Sequence, residues 1–106
     1  MLFTLALARR LAGTTVTANC LHPGVIDTKL LRSGFGVGGA SVANGARTSV
    51  YLASAAAVSQ VNGRYFIDCQ PAVPSSTAQE VEKAEALWRA SEQALGHFRE
   101  IVSPLR

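Results

Sequence analysis

A short run of β-formers, Thr15-Val16-Thr17-Ala18-Asn19-Cys20-Leu21, reaches His22, breaks on Pro23-Gly24, and is followed four residues after the glycine by Thr28. No other stretch constrains the fold as tightly. β-Branched residues fit a pleated strand. The proline fixes its own φ and carries no N–H, and the glycine lets the backbone come close to whatever lies beside it. In open parallel sheets, ligands bind beyond the carboxyl ends of the strands. A strand that stops on Pro-Gly therefore either places backbone amides and one hydroxyl where a ligand would lie, or is a strand-terminating turn followed by a helix cap.

The rest of the chain supplies a frame for that loop. Residues 1–12 read as a helix apolar nearly all round, with Arg9 and Arg10 near its negative end and Gly13 as its C-cap. Such a helix is buried, which makes Phe3, Leu7 and Leu11 core or interface residues. The strand of residues 15–21 is short and β-branched, as inside a parallel sheet. Residues 27–33 begin a short lid helix capped by Asp27 or Thr28, and 34–39 form a glycine-rich loop. Ser41 caps a helix over 42–54 whose buried face is Ala46, Val50 and Ala53.

The Asn62-Gly63 turn then leads into a second strand over 64–69. Two strands joined through one helix make a right-handed βαβ unit. Pro71 and Pro74 mark an irregular link. The final helix, 77–98, carries Val81, Ala84, Trp88, Leu95 and Phe98 on one face and Glu82, Lys83, Glu85, Arg89 and Glu92 on the other. The expected class is α/β: one domain over 1–106, a βαβ unit with parallel strands between an N-terminal helix and a C-terminal amphipathic helix.

Composition narrows the function. With 48% hydrophobic and 16% charged residues the chain must bury surface and is not disordered. Its 106 residues hold one small core. Apolar surface left over favours a homo-oligomer, or docking through the apolar helices. The net charge of +3 is scattered: residues 1–76 hold six Lys/Arg and two Asp/Glu, residues 77–106 four and five. No basic stripe with interleaved aromatics appears, so no nucleic-acid partner is expected. Residues 1–8 are apolar but too short to span a bilayer, and no secretory pattern surrounds them, which predicts a cytoplasmic location without a membrane segment. Cys20 and Cys69 read as two buried thiols. With His22 they fall short of a recognised ligand set, so no metal is expected.

Several patterns imitate sites. Gly34-Phe35-Gly36-Val37-Gly38-Gly39 spells G-x-G-x-x-G, but no strand directly precedes it and no acidic residue stands about 20 positions on. It reads as a flexible loop. His22, Asp27 and Ser41 could be written as a triad, yet no nucleophile elbow accompanies them; His22 is expected to be packed or hydrogen-bonded under the loop.

Taken together, the Val16 to Thr28 segment, Leu2 to Leu11, Asn44-Gly45-Ala46-Arg47, Gly63-Arg64-Tyr65-Phe66-Ile67-Asp68 and Leu87-Trp88-x-x-Ser91-Glu92 resemble the short-chain dehydrogenase/reductase family, in its retinol-dehydrogenase-like branch. The resemblance covers nearly the whole chain and implies the C-terminal portion of a Rossmann-like reductase domain, with NAD or NADP as cofactor. It implies cofactor contacts at Pro23, Gly24, Val25, Ile26 and Thr28, the Ile26 backbone and Thr28 hydroxyl holding the nicotinamide carboxamide, which needs a donor and an acceptor.

The family's Thr-Gly-x-x-x-Gly-x-Gly loop, catalytic serine and Tyr-x-x-x-Lys pair are not in this sequence. Tyr51 is followed four residues later by Ala55, and Tyr65 by Cys69. The implied function is an alcohol/carbonyl oxidoreductase segment carrying part of the nicotinamide pocket, with no catalytic residue and no activity alone. Two alternatives stand beside it: a non-catalytic dimerisation or interaction module derived from that family, and a piece of a longer open reading frame.

Overall fold

The computed structural model of the chain describes residues 1–26, 39 and 41–96. Helix α1 runs Leu2–Leu11, strand β1 Cys20–His22, helices α2 Val42–Gly45 and α3 Arg47–Ser54, strands β2 Tyr65–Ile67 and β3 Gln70–Ala72, and helix α4 Val81–Ala94. One-turn 3₁₀ segments at Ala56–Val58 and Thr77–Gln79 lead into β2 and α4. The sheet order is β1-β2-β3. β1 lies parallel to β2, Leu21 opposite Phe66, and β3 lies antiparallel to β2. The expected α/β architecture is present: two parallel strands joined through helices, with a helix at either end.

Ahead of β1 the Gly63 N–H donates to the Ala18 carbonyl at 2.8 Å, and asparagine side chains supply further bonds between the two segments. Ala18 N–H donates to Asn62 Oδ1 at 2.9 Å, and Arg64 N–H to Asn19 Oδ1 at 3.0 Å. Asn19 Nδ2 in turn donates to the Val61 carbonyl at 2.8 Å. Regular pairing begins where Cys20 N–H reaches the Arg64 carbonyl at 3.0 Å. Asn62 also reaches α1, its Nδ2 donating to the Ala8 carbonyl at 2.9 Å. The Asn-Gly turn thus ties the first helix to both parallel strands.

The stretch expected as an irregular link contains a third strand. Asp68 and Cys69, at φ 49° and 60°, form a two-residue turn between Ile67 and Gln70. Left-handed backbone at two non-glycine residues is costly, and here Thr48 Oγ1 on α3 accepts the Cys69 N–H at 3.1 Å. Pro71 sits opposite Phe66, one pair beyond the one that closes the hairpin. That second pair is not hydrogen-bonded in a two-residue hairpin, so the proline takes nothing from the ladder and blunts the outer edge.

The helices also depart from periodicity. Residues 42–54 form two helices meeting at Ala46, capped as expected by Ser41, whose Oγ accepts the Asn44 N–H at 3.2 Å. The expected buried face is open: Ala46 and Ala53 are exposed and Val50 is 61% exposed, while Thr48 is buried. A sheet of three-residue strands is narrow, and it takes Thr48 and Tyr51 instead, the Tyr51 ring 6.4 Å from Phe66.

Of the described apolar residues only Ala6, Ala8, Val58, Phe66 and Ala84 are buried. α1 is therefore not enclosed as its composition predicts; Gly13 follows its Ala12 cap at φ 83°. Phe3 stacks on Trp88 of α4 at 5.3 Å and is still 48% exposed, and the buried residues of these two helices, Ala6, Ala8 and Ala84, are all small.

Glu85, expected among the solvent-facing charges of α4, instead faces α1. Arg10 grips it through two hydrogen bonds of 3.0 and 2.8 Å and lies 4.2 Å over the Trp88 ring. The Arg10 hydrogen bonds, reinforced by the charges of Arg10, Arg9 and Arg89, hold the Glu85 carboxyl below its ordinary range against a smaller desolvation effect. A lowered folded-state value stabilises the fold above the unfolded carboxyl's range near pH 4, and that contribution disappears as pH falls through the folded value. Glu85→Gln should therefore lower the melting temperature at neutral pH and lose its effect under acid conditions. A melting difference from wild type that persists unchanged at low pH would contradict this origin.

Candidate functional site

The parallel register places the carboxyl end of β1 beside that of β2, His22 opposite Ile67. From that edge the chain enters the Pro-Gly break. Pro23, Gly24 and Val25 are exposed, Val25 at 62%, and Ile26 is half-buried. Gly24 has φ 87°, a left-handed conformation that glycine takes without steric cost. Its N–H donates to His22 Nδ1 at 3.0 Å, so the imidazole braces the turn from below as expected. Acceptance at Nδ1 assigns the ring proton to Nε2.

Ile26 turns back toward the helices. A methyl carbon built on Gly45 of α2 would lie 2.5 Å from Ile26 Cδ1, and one built on Gly39 would lie 2.5 Å from the Val25 carbonyl oxygen. The loop is thus held from below by His22, on its side chain by α2 and on its backbone by Gly39. Sequence reasoning grouped Asn44 to Arg47 as a helix start and Gly39 with a flexible loop, and missed both contacts. The usable signal was a glycine inside a helix, which lowers helix stability and needs a packing reason.

The structure thus gathers Pro23, Gly24, Val25 and Ile26 at one edge. Asp27, Thr28, the expected lid over 27–33, residues 34–38 of the glycine-rich loop, and Phe98 lie outside the described residues. Ser41 is engaged as a helix cap. Cys20 and Cys69 are free and half-buried rather than fully buried: Cys20 Sγ lies 3.1 Å from Met1 Sδ, and Cys69 Sγ 3.8 Å from Thr48 Oγ1. Among the described residues, no three His, Cys, Asp or Glu side chains gather as a metal site. No described helix is long and apolar enough to cross a membrane.

A cavity of about 220 Å³ lies elsewhere, lined by Met1, Leu5, Arg64, Tyr65, Ala72 and Gln79 among others. Tyr65 pairs with Cys20 at the amino ends of the parallel strands, so this hollow opens at the edge opposite the Pro-Gly loop. It has no part in the arrangement where parallel sheets bind ligands.

Parallel strands joined through helices, with a glycine-turned loop leaving their carboxyl edge, define a partial Rossmann-like α/β fold. No family model matches the chain. Individual proteins do. It is 38% identical over 105 residues to Retinol dehydrogenase 12 of Mus musculus, covering 91% of this chain and 33% of that protein. It is 39% identical over 109 residues to Retinol dehydrogenase 14 of Homo sapiens, at 91% and 32%. To Short-chain dehydrogenase TIC 32 A, chloroplastic, of Brassica napus it is 35% identical over 100 residues, at 83% and 31%.

The chain belongs to the short-chain dehydrogenases, on their retinol-dehydrogenase side. It spans about a third of the length of the curated relatives it matches.

Proposed function

We propose that this chain supplies part of the nicotinamide pocket of an NAD(P)-dependent alcohol/carbonyl oxidoreductase and performs no turnover alone. The observation that carries the reading is the exposed, three-way braced loop at the carboxyl edge of β1. The family resemblance assigns the carboxamide, which needs a donor and an acceptor, to the Ile26 backbone and the Thr28 hydroxyl. Pro23, Gly24 and Val25 line the approach. The bound cofactor would supply hydride chemistry, while this chain orients its amide group and shields one side. General acid–base catalysis needs a positioned proton donor, and neither Tyr51 nor Tyr65 has a lysine four residues on.

The test is titration of isotope-labelled 106-residue protein with NADPH, with retinal or a simple aldehyde added afterwards. The expected result is amide shifts concentrated at Gly24, Val25, Ile26 and Thr28, and no consumption of NADPH. Shifts confined to the cavity beside Tyr65, or measurable reduction of the aldehyde, would overturn the reading.

A second reading, a dimerisation or docking module, is favoured by what the fold leaves open. Val16, Val42, Val50 and Val73 are all more than half exposed. Cys20 turns its N–H toward β2, which leaves the main chain of Leu21 facing the outer edge of β1. Pro71 blunts the opposite edge, and among the described residues no strand pairs with this one. Sedimentation at tens of micromolar should show a species heavier than the monomer, and a clean monomer would remove this reading.

A further inference from the structure

We infer that Gly45 is the positioning residue of the Pro-Gly loop: the Ile26 side chain occupies the place where a side chain at 45 would stand, and so sets where the Ile26 backbone is presented. This rests on the nicotinamide-pocket reading for its functional meaning, but the packing stands on the structure alone. A methyl carbon on Gly45 would meet Cδ1, Cγ1 and Cγ2 of Ile26 at 2.5, 2.8 and 3.1 Å. Atoms of both branches of the isoleucine thus lie over the bare Cα of α2. Real side-chain carbons do not approach so closely, so any residue but glycine at 45 displaces Ile26.

α2 has little freedom to yield. Ser41 Oγ accepts the Asn44 N–H at 3.2 Å, the Gly45 N–H donates to the Ser41 carbonyl at 2.9 Å, and the Ala46 N–H to the Val42 carbonyl at 3.0 Å. The Ile26 side chain is therefore the first group to shift, and it hangs from the loop backbone. There the Gly24 N–H is held by His22 Nδ1, and a methyl carbon on Gly39 would lie 2.5 Å from the Val25 carbonyl oxygen and 3.0 Å from the Ile26 carbonyl carbon. The two glycines do different things. Gly45 meets the trimmable end of a side chain, whereas Gly39 meets backbone, which no substitution can shorten.

That difference supplies the test. Gly45→Ala in the 106-residue chain should move the amide resonances of Gly24, Val25 and Ile26 and weaken the NADPH response about tenfold, the scale of an overpacked contact. Adding Ile26→Ala removes all three atoms and should return the resonances and most of the binding; Ile26→Val removes only Cδ1, leaves Cγ1 at 2.8 Å, and should return them in part. Gly39→Ala should disturb the same amides and be restored by neither Ile26 variant.

Unmoved loop resonances in Gly45→Ala would overturn the inference, as would failure of Ile26→Ala to restore them, or equal restoration of Gly39→Ala. If NADPH shifts nothing in the wild type while the Gly45→Ala and Ile26→Ala pattern holds, the positioning role stands and the nicotinamide reading falls.

Discussion

Phe66→Ala should abolish the cooperative melting of this chain. Phe66 is the one large side chain fully buried among the described residues, 1% exposed at the centre of the three-stranded sheet. Leu21 lies opposite it on β1 and Pro71 on β3, and Tyr51 of α3 tilts against its ring. The other buried apolar residues are three alanines and Val58, which cannot close over the space it leaves. Truncating a buried phenylalanine costs about 3–5 kcal/mol. A chain of this size holds only about 5–15 kcal/mol in total, and a small core places it near the lower end. No cooperative transition should remain within about 12 °C of the wild-type melting temperature, and the near-ultraviolet aromatic signal should be lost. Phe66→Leu, which keeps most of the volume, should retain a transition. A Phe66→Ala protein that melts within a few degrees of wild type would show that the sheet is not the stabilising centre.

The second large effect is expected at Asn62. Its amide group joins elements far apart in sequence, accepting from Ala18 N–H and donating to the Ala8 carbonyl, both at 2.9 Å. Asn62→Ala leaves two partly buried backbone groups without these partners, a loss of about 2–3 kcal/mol. The amide of Ala18 should lose its protection from hydrogen exchange in the same variant. Asn62→Asp should be no better: one carboxylate oxygen still accepts from Ala18, but the other faces the Ala8 carbonyl with no proton to give. Near-wild-type stability in Asn62→Asp would show that the Ala8 contact contributes nothing.

Both predictions concern residues whose importance the sequence shows only in part. Asn62-Gly63 was legible as a turn, because that dipeptide accepts left-handed backbone. That the asparagine side chain would bond to both Ala18 and Ala8 was not, since its partners lie 44 and 54 residues away. β3 was missed for a local reason. Its hairpin turns on Asp68-Cys69 rather than on Asn-Gly, and the support for the turn comes from Thr48 on another helix. The candidate loop was more readable, because the Gly24 N–H meets the His22 side chain only two residues away, across the proline. Its other two restraints, Gly39 and Gly45, come from beyond the loop and became visible only with coordinates.

What the sequence determined by itself is everything decided between near neighbours: the break at Pro23-Gly24, the Ser41 cap, the bend at Gly63 and the approximate span of the helices. These follow from φ restrictions and from side chains that reach backbone within about four residues. Tertiary structure decided which faces are covered. Arg10 and Glu85 meet across 75 positions, and the Val50 face of α3 stays open while Thr48 goes in. Periodicity marks an apolar stripe, but a stripe is buried only where another element has the width and position to cover it, and three-residue strands cover little.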